Sequence, residues 1–233
     1  MNAEMAFTQA CDQPFIAFTS AILLAMIRTI FLFLLATLPV AAQTPVFKCG
    51  AATEPFLAKA NRLLLAELAL YPVEANQLGL HEYEGKSLDD QLDDYSPAAL
   101  EASRRLLNSG RTCFDGYKNL PPEDNVDLVV LRDSIDFQLF QLDRLQAYRY
   151  QPQSYVEMIG SGLFFPLTMT NGTQEQRLAS VVSRIEKIPA ALAQARQNLV
   201  ESDQVFIDTA IQEKDGNKQV IELAGSMIAK DSP

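Results

Sequence analysis

Val126-Asp-Leu-Val-Val-Leu-Arg-Asp-Ser-Ile-Asp-Phe-Gln-Leu-Phe-Gln-Leu-Asp-Arg-Leu-Gln-Ala-Tyr148 decides the fold class. Leu128, Leu131, Ile135, Leu139, Leu142 and Leu145 recur at intervals of three and four, which lines them along one face of a helix. Val130, Phe137 and Phe140 widen the apolar arc. A helix that apolar is expected to pack between neighbours rather than lie on a surface. Pro121-Pro122-Glu123-Asp124 opens it, with acids suited to the positive end of the helix dipole.

Upstream, Ser96-Pro97 is a helix start: a serine cap followed by proline at the first helical position. That helix is predicted to reach Leu107 and to continue past Gly110. Glu54–Tyr71 places Leu57, Leu64, Leu68 and Tyr71 on one stripe, with Ala60 between, and Tyr71-Pro72 ends it. Between the two lies a polar connection, Val73–Tyr95. It carries the acidic run Asp89-Asp90-Gln91-Leu92-Asp93-Asp94, which reads as a solvated loop before a helix N-terminus.

Downstream, Gln151–Thr173 is interrupted by Pro152, Gly160, Gly162, Pro166 and Gly172, leaving a short helix over Ser154–Ile159. Gln174–Lys187 is amphipathic through Leu178, Val181, Val182 and Ile185. Ile188-Pro189 breaks it, and Leu192, Ala195 and Leu199 continue on a second helix. Asp203–Glu213 and Lys218–Lys230 are two more, parted by Asp215-Gly216-Asn217. No strand-like alternation is present. The fold class is all-α, a multi-helix array, with a helical domain over residues 43–233.

Residues 1–42 are a signal or leader segment. From Met26 the chain has a short positive start, the apolar run Ile30–Leu38, and small residues before a cleavage site placed between Ala42 and Gln43. Glu4, Asp12 and the earlier apolar run from Phe15 fit a signal poorly, so Met26 is the better start. The alternative is an uncleaved anchor over roughly Phe15–Ala42, with Arg28 costly in its middle. The destination is periplasmic or secreted, or the inner membrane if the leader stays; no other membrane attachment is expected. Without Arg28, Glu4 and Asp12, 18 basic and 27 acidic residues remain. That excess argues against nucleic-acid binding. Cys49 and Cys113, an even pair in an oxidising compartment, are disulfide candidates; two separate buried thiols are the alternative.

His81 is the only histidine. A helical zinc-hydrolase motif needs two, one turn apart. In His81-Glu82-Tyr83-Glu84-Gly85 the second position holds Gly85. His81 reads as a packed or hydrogen-bonded residue. The acidic run lacks calcium-loop spacing. Ser161, in Gly-Ser-Gly, lacks the strand and histidine of a nucleophile elbow. Asn171-Gly172-Thr173 reads as a turn. Tyr71, Tyr148, Tyr150 and Tyr155 are candidates to line a cleft. No catalytic, cofactor-binding or metal residue is assigned.

Tyr71-Pro72-Val-Glu-Ala-Asn-Gln-Leu-Gly79-Leu-His81-Glu-Tyr83, Leu92-Asp-Asp-Tyr-Ser96-Pro97, Ile188-Pro189 to Asn198-Leu199, and Val205-Phe206 to Ala210-Ile211 follow in an order that resembles the N-terminal portion of the bacterial domain of unknown function 885 family. The similarity covers roughly residues 54–230. Pro72, Gly79, His81, Ser96 and Pro97 are family-segment residues without an assigned role. The resemblance implies the front of a larger, mostly helical, zinc-metallopeptidase-like fold, usually exported. Its zinc motif lies further along the family's chains, so its ligands map onto no residue here. Zinc is then expected only in a full-length relative, and the partners are a separately encoded C-terminal half or a peptide substrate. Three readings follow: a substrate-cleft portion of such a protein, from a split or truncated gene; a stand-alone periplasmic binding module; or a gene remnant.

Overall fold

The structure, a computed structural model, describes residues 46–231. The leader and the Ala42–Gln43 junction lie outside them. The elements are α1 (Phe56–Leu68), α2 (Pro72–Gln77), a ribbon of β1 (Glu82–Tyr83) and β2 (Lys86–Ser87), α3 (Pro97–Asp115), α4 (Pro122–Phe140), a π-turn (Gln141–Leu145), α5 (Ala147–Tyr150), α6 (Gln153–Thr168), α7 (Gln174–Asn198) and α8 (Gln204–Asp231). The array is all-α apart from the ribbon.

One half of the core joins α1, α3 and α4. Leu128, Leu131, Ile135, Leu139 and Leu142 are buried there against Leu63, Leu106, Leu107 and Phe114. Val130, Phe137 and Phe140 are exposed instead. With Val126, also exposed, they repeat at helical spacing along a second stripe of α4. The helix also stops short of Tyr148. The Gln146 N–H bonds to the Gln141 carbonyl at 2.8 Å, and Gln146 turns left-handed with φ 47°. The predicted stripe of α1 is corrected too. Phe56, Lys59, Ala60 and Leu63 face inward, while Leu57 and Leu64 are exposed. Both stripes of α1 are apolar, and α3 with its exit chooses between them. Phe114 and Tyr117 stack on Phe56 edge-to-face, with ring centroids 5.9 and 5.5 Å away, and Lys59 lies over the Tyr117 ring. A disulfide joins Cys49 to Cys113 on α3, with Cα atoms 5.4 Å apart.

The other half gathers Val73, Leu92, Met158, Ile159, Leu163, Val181, Ala191 and Ala224. Its helices are longer than the sequence breaks suggest. α6 runs through Gly160, Gly162 and Pro166; α7 runs through Pro189; α8 runs through Gly216. The glycines act as packing sites. A Cβ on Gly162 would press on Leu92 and Val73, and one on Gly160 would strike Asn217. Asn217 instead donates to the Val156 carbonyl of α6 at 2.8 Å. Pro166 has no N–H, so the helical partner of the Gly162 carbonyl is missing. Arg184 of α7 supplies it, its Nη1 donating at 2.6 Å.

The polar connection is also more ordered than predicted. After α2, the ribbon pairs Glu82 with Ser87 and Tyr83 with Lys86. Its two-residue loop, Glu84 and Gly85, has φ 49° and 74°, the primed turn that suits a two-residue hairpin. Too short for alternation, the ribbon leaves Glu84-Gly85 as its only sequence signal.

Candidate binding clefts

The segment Pro72–Asp94 lies between the two halves, and three clefts open beside it; the widest, about 620 Å³, is a shallow one lined by Leu70, Pro72, Leu88 and Leu92 among others. Its anchor is Arg184, which is fully buried. Besides Gly162, its Nη2 donates to the Asn76 amide oxygen and to the Leu88 carbonyl, the latter at 3.2 Å. Burial pulls its pKa down to about 10, partly offset by the charges of Asp89, Asp93 and Asp90.

The acidic run is therefore not a solvated loop. Asp89 Oδ1 accepts from Asn76 Nδ2 at 2.9 Å and lies 2.6 Å from His81 Nδ1. The Asp90 carbonyl accepts from Lys187 of α7. Asp93 is buried, and its Oδ1 accepts the Val73 N–H at 2.9 Å. Asp94 Oδ1 accepts from the Ser96 N–H at 2.7 Å and from Gln194 Nε2 at 2.8 Å. Short carboxylates satisfy orphan backbone donors and α7 side chains together, which zips the segment onto the helices.

The first cleft, about 400 Å³, is lined by Asn76, His81, Ser87, Asp89, Gln176 and Arg177, among others. His81 is half-exposed there. Gly172, with φ 73°, turns the chain beside it, and Thr173 and Gln176 form a capping box that starts α7.

The second cleft, about 460 Å³, is lined by Glu67 of α1, Tyr71 before α2, Glu74, Asp93, Tyr95, Ser134, Phe137, Gln138, Gln141 and Tyr148, together with smaller contacts. Burial raises the Glu67 carboxyl to about 7; a hydrogen bond from Gln138 opposes this and the Glu74 charge adds to it. Burial likewise raises Asp93 to about 6, against the Val73 N–H and the Arg184 charge. Tyr95 is pushed up by burial and then by the Asp93 charge.

Of the tyrosines named from sequence, Tyr71 and Tyr148 line this cleft. Tyr155 is buried behind it; its ring meets Tyr95 edge-on at 5.3 Å and its hydroxyl donates to the Tyr148 carbonyl at 2.8 Å. Tyr150 is exposed and lines none of these clefts. Pro72 begins α2, and Gly79 leaves it with φ 84°. Ser96 caps α3, its Oγ accepting the Ala99 N–H at 3.2 Å, and Pro97 follows at the first helical position. The sequence reading missed Glu67, Asp93 and Arg184. A carboxylate or guanidinium on an amphipathic helix or in an acidic run carries no mark of burial.

Among the described residues, no group of three or more His, Cys, Asp and Glu side chains is placed to hold a metal ion. No described helix is long and apolar enough to cross a membrane.

These features define a helical array with a polar segment pinned between two core halves and clefts opening beside it. Residues 72–231 match the family model described as bacterial protein of unknown function (DUF885), and the chain belongs to that family. A comparison with curated proteins finds no match. The solved structure of a candidate lipoprotein of unknown function from Shewanella oneidensis is similar, with a TM-score of 0.62 at 18% identity. The likeness covers 76% of this chain and 36% of that one, and at that identity it shows the fold alone.

Proposed function

We propose that this chain is the helical, substrate-cleft portion of an exported, peptidase-like protein whose zinc chemistry is carried by residues outside it. The observation that carries this reading is the second cleft. It is assembled from the segment that opens the family match, lies within the size range of ligand sites, and holds buried polar groups beside aromatic rings. Export is supported by the leader and by the lipoprotein description of the Shewanella neighbour.

The exposed stripe Val126, Val130, Phe137 and Phe140 adds a second support. Phe137 belongs both to the stripe and to the cleft lining. An apolar strip at the mouth of a cleft is where a second portion of such a protein would close over a bound chain.

Binding of short unstructured peptides to the purified chain, followed by amide chemical shifts, tests the cleft. Shifts confined to residues around Glu67, Tyr71 and Tyr95 are expected, with no chelator-sensitive peptide hydrolysis. Chelator-sensitive hydrolysis by the pure chain would overturn the division of labour proposed here. A stand-alone binding module is the second reading, favoured by the two filled core clusters and the disulfide. A monomer unfolding in one cooperative step, with Val130→Ser and Phe140→Ser leaving both stability and peptide binding unchanged, would favour the module.

A further inference from the structure

The second cleft has a one-sided charge. Glu67, Glu74 and Asp93 line it, and no lysine, arginine or histidine does. Asp93 is about nine-tenths buried. Its Oδ1 is taken by the Val73 N–H, and its other carboxylate oxygen has no hydrogen-bond donor among the described residues. That oxygen is not sealed from solvent, so at the cleft wall it is open to a cationic or proton-bearing group. Arg184 lies on the far side of Asp93, committed to Gly162, Asn76 and Leu88. Tyr71, Tyr95, Tyr148 and Phe137 supply aromatic rings around the same space. Carboxylates beside aromatic faces form the environment that suits an ammonium group, through ion pairing and cation–π attraction.

We propose that this cleft is a recognition site for a primary ammonium group of a peptide, held between Glu67 and Asp93 against the tyrosine rings. The inference rests on the peptide-cleft reading above and specifies its ligand chemistry. Ammonium and carboxylate meet without covalent change. Binding draws Glu67 into its ionised form and releases its proton. The groups that face Glu67 are Tyr71 on its own C-terminal side, Glu74 of α2, Gln138 of α4, and Asp93 of the acidic segment. None of these is a cation that would mask the linkage.

A free N-terminus and a lysine side chain offer the same chemistry, and four synthetic probes separate them. They are Ala-Ala-Phe-Ala amide with a free amine, acetyl-Ala-Lys-Ala amide, acetyl-Ala-Gln-Ala amide and acetyl-Ala-Glu-Ala amide. Calorimetric titration of the full chain should show at least one ammonium probe binding about tenfold or more tighter than the neutral and acidic ones. Whichever of the first two is tighter identifies the source. Titrations at pH 6.5 in buffers of different ionisation enthalpy should show proton release that disappears at pH 8.5. Glu67→Gln and Asp93→Asn should each lower ammonium-probe affinity about tenfold and leave the neutral probe unchanged, with amide spectra confirming the fold. Equal binding of charged and neutral probes would overturn the ammonium site and leave the peptide cleft standing. Binding of no probe would overturn both. Charge-selective binding that survives both substitutions, or without proton release, would place the site elsewhere and overturn the inference.

Discussion

The two halves of the core are built by different physics. The half of α1, α3 and α4 is held by apolar side chains, by rings clustered around Phe114, and by a covalent link. The half of α6, α7 and α8 has a shorter list of large buried apolar residues, and its centre is a guanidinium. Burial of apolar area is non-directional, so the first half tolerates variation in detail. A buried charge is stable only while every partner is in place, so the second half is specified by a few bonds. The difference matters for function because the clefts lie against the segment that Arg184 pins. The apolar half is scaffold, and the polar half sets the register of the site.

The largest expected effect separates the halves directly. Arg184→Ala removes a fully buried cation and leaves Asn76, Leu88 and the Gly162 carbonyl without their donor. Breaking such a network costs about 3–5 kcal/mol. Hydrogen exchange should then accelerate first at Leu163 and Val181, while Leu63 and Ile135 stay protected longer. Equal loss of protection in both halves would mean that they fold as one unit and that the contrast is only chemical.

The covalent link is the reciprocal test. It closes a 64-residue separation between Cys49 and Cys113. Replacing both cysteines by serine should cost about 2–4 kcal/mol, mainly by freeing the unfolded chain. The stability loss, read from denaturant midpoints, is expected with the Arg184 network still formed and the shifts around Asn76 and Leu88 unchanged. Loss of those shifts would tie the polar half to the disulfide.

Protonation sharpens the comparison further, because the two most strongly raised carboxyls sit at the cleft. Glu67 is raised from 4.5 to about 7 and Asp93 from 3.8 to about 6. Raised carboxyls bind more protons in the folded than in the unfolded chain between those values. Stability should therefore fall as pH rises from about 4 to about 7, by on the order of 3–5 kcal/mol for the pair once partial exposure of Glu67 is allowed for. Carboxylates paired elsewhere act in the opposite sense, so the test is the difference from variants. Glu67→Gln and Asp93→Asn should each remove part of the downward slope. A slope unaltered in both would place its origin outside the cleft.

How much of this was legible follows from where each signal sits in the chain. The buried face of α4 could be read because Leu128, Leu131, Ile135 and Leu139 repeat locally at a fixed period. The inward face of α1 could not, since it competes with a second apolar stripe and is chosen by Phe114 and Tyr117, far along the chain. Pro166 announced a freed carbonyl at Gly162, yet its donor lies 22 residues away on another helix. Gly160, Gly162 and Gly216 carried the usual meaning of a break, and the packing of α6 on α8 and on Leu92 overrode it. His81 stood out as the sole histidine and Ser96-Pro97 as a helix cap, whereas the cleft carboxylates Glu67 and Asp93 emerged only when three segments came together. Local periodicity shows scaffold; long-range polar pairing, which makes the site, leaves almost no local trace.

The smallest expected effect lies where the two halves meet. Ser96 caps α3 through the Ala99 N–H, and its own N–H is held by Asp94, which also binds Gln194 of α7. The serine hydroxyl serves only the helix end, whereas the Asp94 carboxylate spans both halves. Ser96→Ala should therefore cost only the cap, about 1 kcal/mol, and Ser96→Thr very little. Asp94→Ala loses the bonds to Ser96 and Gln194 together, but both lie in water and can be replaced by it, so its cost should be similarly small. A double variant whose cost is the simple sum would show that the cap and the inter-half bond act independently. A cost well above the sum, measured by denaturant unfolding, would mean that the N-terminus of α3 is a coupling point through which scaffold stability reaches the cleft.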